Sequence, residues 1–527
     1  MPKDGIQGLK ENFSSDFISG FLVSLLALPL SLGIAAASDF PNPMYGVLTA
    51  IIGGLIVSIF AGSVLTIKGP AAGLIVIVAG SVSAFGGGAI GWQMTLGAIV
   101  VASVLQVFFG MLKWGKLADF FPLAAVHGML AAIGIIIISK QLHILLGVNP
   151  LNHEGKPLVE PIALLSVLPD TFQKILENSK VVITGLVSLG LVLGIPKIKH
   201  QWIKKIPVPL MVLAVAIPLG LILELNNING ALLKFDKPFL ELIHINVSFE
   251  GTQKMGVFIQ YVILFALIGS LESLLTAKAV DLLDPYKRKS SFNKDLIALG
   301  LGNLVAGILG GLPMISEVAR SSANVSNGGK TRWANFFHGL SLLIFMLFLV
   351  PVLEMIPKAA LAAMLIGVGI KLAHPKEFIH MFRIGKEQLL IFLTTIIVTL
   401  VFDLLAGIFA GMLIEIIIHI SKGLPISALF KAPIKVSFTD DEYMVEIEKA
   451  AIFSNYLGIK SKLDAIPDNM KVTIDFSNSK LVDHSVMDGV HLFQNNYESN
   501  GGKVTIIGLD KHTASSSHHL ASRVKKK

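Results

Sequence analysis

The chain has no cysteine and little charge: Asp, Glu, Lys and Arg make up only 15% of its 527 residues. Without thiols there is no disulfide framework, no thiol catalysis and no cysteine-ligated metal. So few charges argue against a soluble fold of this length, and 53% hydrophobic residues give more apolar surface than such a fold needs. The composition is that of an integral membrane protein. Its 49 glycines suit close helix packing, since lipid gives helices no hydrophobic drive to associate and small residues let backbones approach.

Catalytic signatures are also missing. No nucleophile, histidine and acid arrangement stands out, so the chain does not read as an enzyme. Gly86 to Gly91 fits the GxGxxG pattern, but it joins two apolar runs without a βαβ context and reads as a loop. His127, His143, His338 and His419 are scattered and read as packing or interface residues. No firm metal site and no cofactor are expected. The net charge of +8 lies between apolar runs and at the ends, which does not suggest a nucleic-acid partner.

The apolar runs predict fourteen spans: 15–37, 43–62, 70–85, 91–112, 120–139, 180–196, 207–224, 255–280, 294–310, 314–326, 334–352, 358–371, 386–402 and 404–421. The third and tenth are short and broken. Lys-Gly-Pro-Ala-Ala-Gly (68–73) interrupts one, and a Ser/Asn-rich stretch around Arg320 the other. Two broken spans in corresponding halves point to a transporter built from an inverted repeat. Non-helical backbone at that depth must be buried or line a cavity.

Basic residues set the expected orientation. With the N-terminus inside, the inner loops hold Lys113 and Lys116, Lys197 to Lys205 with Lys204, Lys287 to Lys294, and Lys371 to Lys386. The longest outer loops, 147–179 and 225–254, mix lysines with acids such as Glu154. Both termini are then expected to be cytoplasmic and the location a cell membrane. The first run lacks a cleavage site and reads as a retained span. Asp403 reads as a helix cap.

The pattern changes near residue 430. The stretches at 435 and 443 alternate like strands, those at 471 and 503 read as buried parallel strands, and helices fit between them. The expected domains are 1–429 (transmembrane), 430–510 (small soluble α/β) and a disordered Lys/Ser/His-rich tail at 511–527.

Three residues of the membrane part are costly to bury. Arg320, with Ser321 and Ser322 beside it, would add fixed positive charge to the dipole ends of two opposed half-helices, an arrangement suited to a small anion. The alternative is that Arg320 pairs with a carboxylate. Lys68 either faces the same site beside Gly69, Pro70 and Ala71 or snorkels to the interface. Glu272 lies one turn before Thr276, on one helical face. Burial would let Glu272 cycle with protons, while carboxylate and hydroxyl oxygens together can hold a hard cation such as sodium. It could also simply partner Arg320. The serines could donate to substrate or bond their own backbone.

The Ile268-Gly-Ser-Leu-Glu-Ser segment, the Gly300 to Pro313 run, and the Arg320 segment through Gly328-Gly-Lys-Thr resemble the SulP anion transporters. Asp16, Gly20, Leu28-Pro29 and Gly69-Pro70 fit the same pattern. Asp475-Phe-Ser and Val482-Asp-His-Ser resemble their C-terminal STAS domain. The likeness implies an α-helical polytopic membrane protein of fourteen spans in two inverted sevens, divided into core and gate, with substrate between the third and tenth half-helices. It implies a homodimer in the bilayer that transports bicarbonate or sulfate. It also implies that Glu272, with Thr276, couples to sodium or to protons. Leu30 after Pro29 is closer to the bicarbonate-type pattern. His484 stands where related regulators carry a phosphorylated serine, with Ser485 next to it, so serine switching is not expected. An uncoupled channel or exchanger, a dicarboxylate carrier and a uracil-type carrier remain as alternatives.

Overall fold

The computed structural model describes all residues except 1, 4, 151–157, 159, 201–205, 236, 287, 403, 432–433, 440, 500 and 527. The roles expected for Glu154, Lys204, Lys205, Lys287 and Asp403 thus lie outside the described residues. The chain forms two compact units: Met1–Gly115 with Ile133–Leu372, and Lys116–Ala132 with Ala373–Lys527. The second unit is larger than the soluble segment expected from 430 onward.

The first unit is helical. Its elements are α1 (Gly5–Ala37), α2 (Met44–Phe60), β1 (Lys68–Pro70), α3 (Ile75–Ala84), α4 (Gly88–Met111), α5 (Leu123–Leu145, which continues from the second unit), α6 (Ser179–Gly194), α7 (Val208–Ile222), α8 (Met255–Leu283), α9 (Phe292–Leu309), β2 (Met314–Ser316), α10 (Val318–Ser326), α11 (Trp333–Phe348) and α12 (Lys358–Leu372). Among the described residues, eight helical segments of the whole chain are long and apolar enough to cross a membrane, and four more apolar helices have 10–17 residues. This is a polytopic helical membrane architecture. Every one of the fourteen expected segments contains a helix.

Small residues bring the helices together. A Cβ at Gly20 of α1 would meet the Ala334 carbonyl of α11, and one at Gly300 of α9 would meet the Ser103 carbonyl of α4. Backbone contact this close needs a residue without a side chain, as expected where dispersion rather than the hydrophobic effect drives association.

The third and tenth expected spans need correction at their starts. The chain is extended at 68–70 and 314–316, and these stretches pair antiparallel, with Lys68 opposite Ser316, Gly69 opposite Ile315 and Pro70 opposite Met314. Helix begins only afterwards, with a 3-10 turn at Ala72–Leu74 leading into α3, and at Val318 in α10. Each strand satisfies the other's backbone groups in a region with no solvent to do so. Corresponding segments running in opposite directions are what a repeat inverted about an in-plane axis produces.

The second unit contains an amphipathic helix at Pro375–Ile384, α13 (Lys386–Val401) and α14 (Leu404–Ser421). Its α/β part comprises β3 (Ile434–Thr439), β4 (Glu442–Ile447), β5 (Lys449–Ala451), α15 (Phe453–Leu463), β6 (Lys471–Asp475), β7 (Ser479–Val482), α16 (His484–Ser499), β8 (Lys503–Ile507), β9 (His512–Ala514) and β10 (Arg523–Lys525). One sheet has the order β3-β4-β6-β8, and only β3 in it runs antiparallel to its neighbour. The parallel strands at 471 and 503 are as expected, and the whole fits a STAS-type fold.

The tail is not disordered. β10 pairs antiparallel with β7 and β9, in a second sheet of order β5-β7-β10-β9. Ladder hydrogen bonds come from the backbone, so a Lys- and Ser-rich composition does not prevent them. Ala521 is also fully buried.

Candidate functional site

Arg320 and Glu272 are 48 positions apart by their residue numbers, yet both meet the five residues from Gly69 to Gly73. A Cβ on Gly69 would strike Arg320 Nη1, and a Cβ on Gly73 would strike both carboxylate oxygens of Glu272. The glycines leave room for these charged groups at the start of the first half-helix. Pro70 and Ala71 lie between them, both buried, with Ala71 extended before the turn.

Arg320 is completely buried in the first turn of α10. None of its guanidinium nitrogens has a hydrogen-bond partner among the described residues. Its nearest counter-charge is Glu317, whose Oε2 lies 3.4 Å from Nε. The ion pair is long and leaves the donors free, a costly state for a buried cation without a ligand. The carboxylate partner foreseen for Arg320 is thus Glu317, the residue capping α10, and not Glu272. Glu272 is buried too, with Oε1 unpartnered, and Thr276 is buried one turn further along α8. The half-helix ends are not bare, because a carboxylate stands near each.

Lys68 does not snorkel. Its ammonium is fully buried, 2.6 Å from Asp295 Oδ2, and it also donates to the Ser316 hydroxyl. Asp295 of α9 accepts from the Gly62 and Ser63 amides at 3.1 Å, so its pair with Lys68 clamps the approach to β1. Removing one partner of a buried pair strands the other charge, typically at about 3–5 kcal/mol. Lys68→Ala is expected to lower the thermal stability of the purified protein by about that much, and Lys68→Met with Asp295→Asn to regain most of it. Equal losses in the single and double variants would show that the pair has no such role.

Ser321 bonds backbone on both sides. Its hydroxyl donates to the Glu317 carbonyl at 2.6 Å and accepts from the Ile67 amide at 2.9 Å, so it ties the residue before β1 to α10, the backbone-bonding alternative. Ser322 is half-buried beside it. Ser273 of α8 donates to the Ser316 hydroxyl at 3.0 Å and accepts from its amide at 3.1 Å. Asn303 uses its side-chain amide as a further strand, accepting from Met314 N at 2.6 Å and donating to Met314 O at 3.2 Å. Asp16 accepts from the Lys330 and Thr331 amides at 2.7 and 3.1 Å, fixing the chain beyond α10.

Sequence reasoning missed Asp295, Glu317, Gly73, Ser273 and Asn303. Glu317 and Gly73 lie inside the two broken segments, where a charge and a glycine beside a break were a readable signal. Asp295 sits at the start of a span and resembled an interfacial charge. Of the histidines, His143 bonds the Thr171 hydroxyl and the Leu164 carbonyl, and His127 faces Glu377 at 3.3 Å. His338 is buried, with both ring nitrogens unpartnered among the described residues.

His484 is buried at the start of α16, with Nδ1 3.0 Å from the Leu520 carbonyl, and Ser485 accepts from the Leu123 amide at 3.2 Å. Burial holds the His484 imidazole down at about 4. Neither side chain is presented for phosphorylation.

The glycine contact at 73 yields a direct expectation. Gly73→Ala must displace the Glu272 carboxylate, an overpacking cost of about 1–3 kcal/mol, or roughly 10–100-fold in function. In contrast, Gly190→Ala in α6 would meet nothing and should leave uptake unchanged. Equal anion uptake by both variants would remove Gly73 from the site.

Residues 13–395 match the Sulfate permease family model. The chain is 27% identical over 511 residues to the putative sulfate transporter YvdB of Bacillus subtilis (strain 168), covering 95% of this chain and 92% of that protein. It is 26% identical over 443 residues to the bicarbonate transporter BicA of Synechocystis sp. (strain ATCC 27184 / PCC 6803 / Kazusa), covering 82% of this chain and 74% of the relative. The fold is similar to the transmembrane domain of a cyanobacterium bicarbonate transporter BicA, with a TM-score of 0.65, 22% identity and coverage of 76% of this chain and 97% of that one. With the family model spanning most of a polytopic helical chain, the protein belongs to the sulfate permease family and is a multi-pass membrane anion transporter, not an enzyme.

Proposed function

We propose that the protein is a secondary active transporter that carries bicarbonate or sulfate across a cell membrane by alternating access, together with sodium or a proton. The observation that carries this reading is the charge balance around 68–73. Two fixed cations, Lys68 and Arg320, face three carboxylates, Asp295, Glu317 and Glu272. With all of them ionised the region has one negative charge too many to welcome an anion. A cation at Glu272 removes that excess, so cation and anion favour each other's entry by reciprocal linkage.

Lys68 is matched by Asp295, which leaves Arg320 as the group with free donors for an anion. Its planar guanidinium suits a planar or tetrahedral oxyanion. Leu30 is buried after Pro29 and offers substrate no polar contact, which favours bicarbonate over sulfate. The names of the relatives include carriers of both. Thr276 beside Glu272 favours sodium, because a metal ion needs more than one oxygen ligand. Cytoplasmic termini and a homodimer complete the proposed arrangement.

The test is uptake of labelled bicarbonate, sulfate and fumarate by proteoliposomes, with sodium and proton gradients imposed separately. The proposal expects one inorganic anion to accumulate above its equilibrium ratio under one of the two gradients. Accumulation that never exceeds equilibrium would identify an uncoupled channel or exchanger, and preference for fumarate a dicarboxylate carrier.

A further inference from the structure

A buried polar cluster outside the candidate site lies in the second unit, where α14 meets the residue before α16. Glu415 and His419 stand one turn apart on one face of α14, and Asp483 immediately precedes α16. All three are buried, at 1%, 3% and 0% exposure. One ligand atom from each lies within 4.8 Å of the others.

From these positions we infer that Glu415, His419 and Asp483 form a binding site for a divalent transition-metal ion of the zinc class, joining the last apolar helix to the α/β domain.

The spacing of His419 from both carboxylates fits a shared ion. His419 Nε2 is 3.8 Å from Glu415 Oε1 and 3.9 Å from Asp483 Oδ2. Both separations exceed hydrogen-bond length. They fall within the roughly 4.2 Å that can separate two donors each about 2.1 Å from one zinc ion, and since all three ligand atoms lie within 4.8 Å of one another, inward movement of the side chains brings them to tetrahedral spacing. One imidazole nitrogen with two carboxylate oxygens is a donor set for zinc and its first-row neighbours.

Satisfaction of the groups points the same way. Both Glu415 oxygens lack hydrogen-bond partners among the described residues, an expensive state inside a protein. Asp483 is oriented from outside the cluster: Phe453 N donates to Oδ2 at 2.5 Å and Val486 N to Oδ1 at 2.8 Å. Such second contacts are what hold a ligating carboxylate in place. Lys422, which acts on both carboxylates of the cluster, is itself paired with Glu387, so the two carboxylates do not have its charge to themselves. A divalent ion with neutral imidazole balances both charges.

The experiment strips the full-length detergent-purified protein with chelator, reloads it with zinc or cobalt(II), and measures bound metal and thermal midpoint. The wild type is expected to retain about one zinc per chain, to gain thermal stability on loading, and to show the visible absorption of low-coordinate cobalt(II). His419→Ala and the near-isosteric Glu415→Gln are expected to lose the stoichiometric metal and the metal-dependent rise, with size-exclusion profiles confirming that they fold. Stability lost by the wild type on chelation reports on the site without any variant. Zinc bound equally by variants and wild type, or no metal above background in the wild type, would overturn the proposal.

Discussion

Replacing Arg320 with Ala is expected to weaken anion binding by roughly 10–100-fold while the protein still inserts and remains folded. A charge-assisted hydrogen bond contributes about 1.5–3 kcal/mol, and each 1.4 kcal/mol is tenfold. Arg320 is the buried cation with three unpartnered nitrogens, so its loss removes donors that no described neighbour uses. Arg320→Lys should recover only part of the affinity, because a point charge does not reproduce a planar fork. Glu317→Gln separates this role from a structural one. If Arg320 serves only its 3.4 Å contact with Glu317, both replacements should do similar harm. If Arg320 serves an anion, Glu317→Gln leaves affinity intact or raises it, since it removes the competing carboxylate.

The second large effect concerns coupling. Glu272→Gln keeps the shape of the side chain against Gly73 and deletes the charge that draws in a cation. Accumulation should fall to the equilibrium ratio, while downhill exchange persists. In the unmutated protein, sodium coupling predicts uptake that saturates with sodium, whereas proton coupling predicts stimulation by an inward proton gradient without sodium. Thr276→Val should then weaken sodium dependence in the first case and change little in the second. Undiminished concentrative uptake by Glu272→Gln would leave Glu272 as a packing partner of Gly73.

Much of the membrane fold could be read in the sequence because most spans are long apolar runs, and lipid demands such runs. The two breaks were readable for a related reason: Gly69-Pro70 and the polar stretch around Arg320 cannot continue an apolar helix. Their pairing was not, because strands of three residues have no period to detect. The Lys68–Asp295 contact is equally hidden, since it joins residues 227 apart and each alone resembles an interfacial charge. The α/β strands showed in their alternation and β-branched runs, but the final strand did not, because backbone pairing gives Arg523 and Val524 an order that their composition does not announce. The amphipathic helix at Pro375–Ile384 was concealed for another reason. Its Lys376 and Arg383 lie in the basic stretch from Lys371 to Lys386 that reads as an inner loop, and they are also on the polar face of a helix.

At the candidate site, Arg320 and Glu272 were legible from the cost of burying them. Where they meet was not, because Gly69 and Gly73 act by the side chains they lack. Ser321 illustrates the opposite case, a hydroxyl whose two backbone bonds the sequence could offer only as an alternative.

Equilibrium binding of labelled anion to the purified, detergent-solubilised protein tests the central claim most directly, because it reads the site apart from the transport cycle. Saturable binding to the wild type that tightens when sodium or protons are added, and that weakens roughly 10–100-fold in folded Arg320→Ala, is the predicted result. Equal affinity in Arg320→Ala and wild type would contradict it and place the anion elsewhere in the fold.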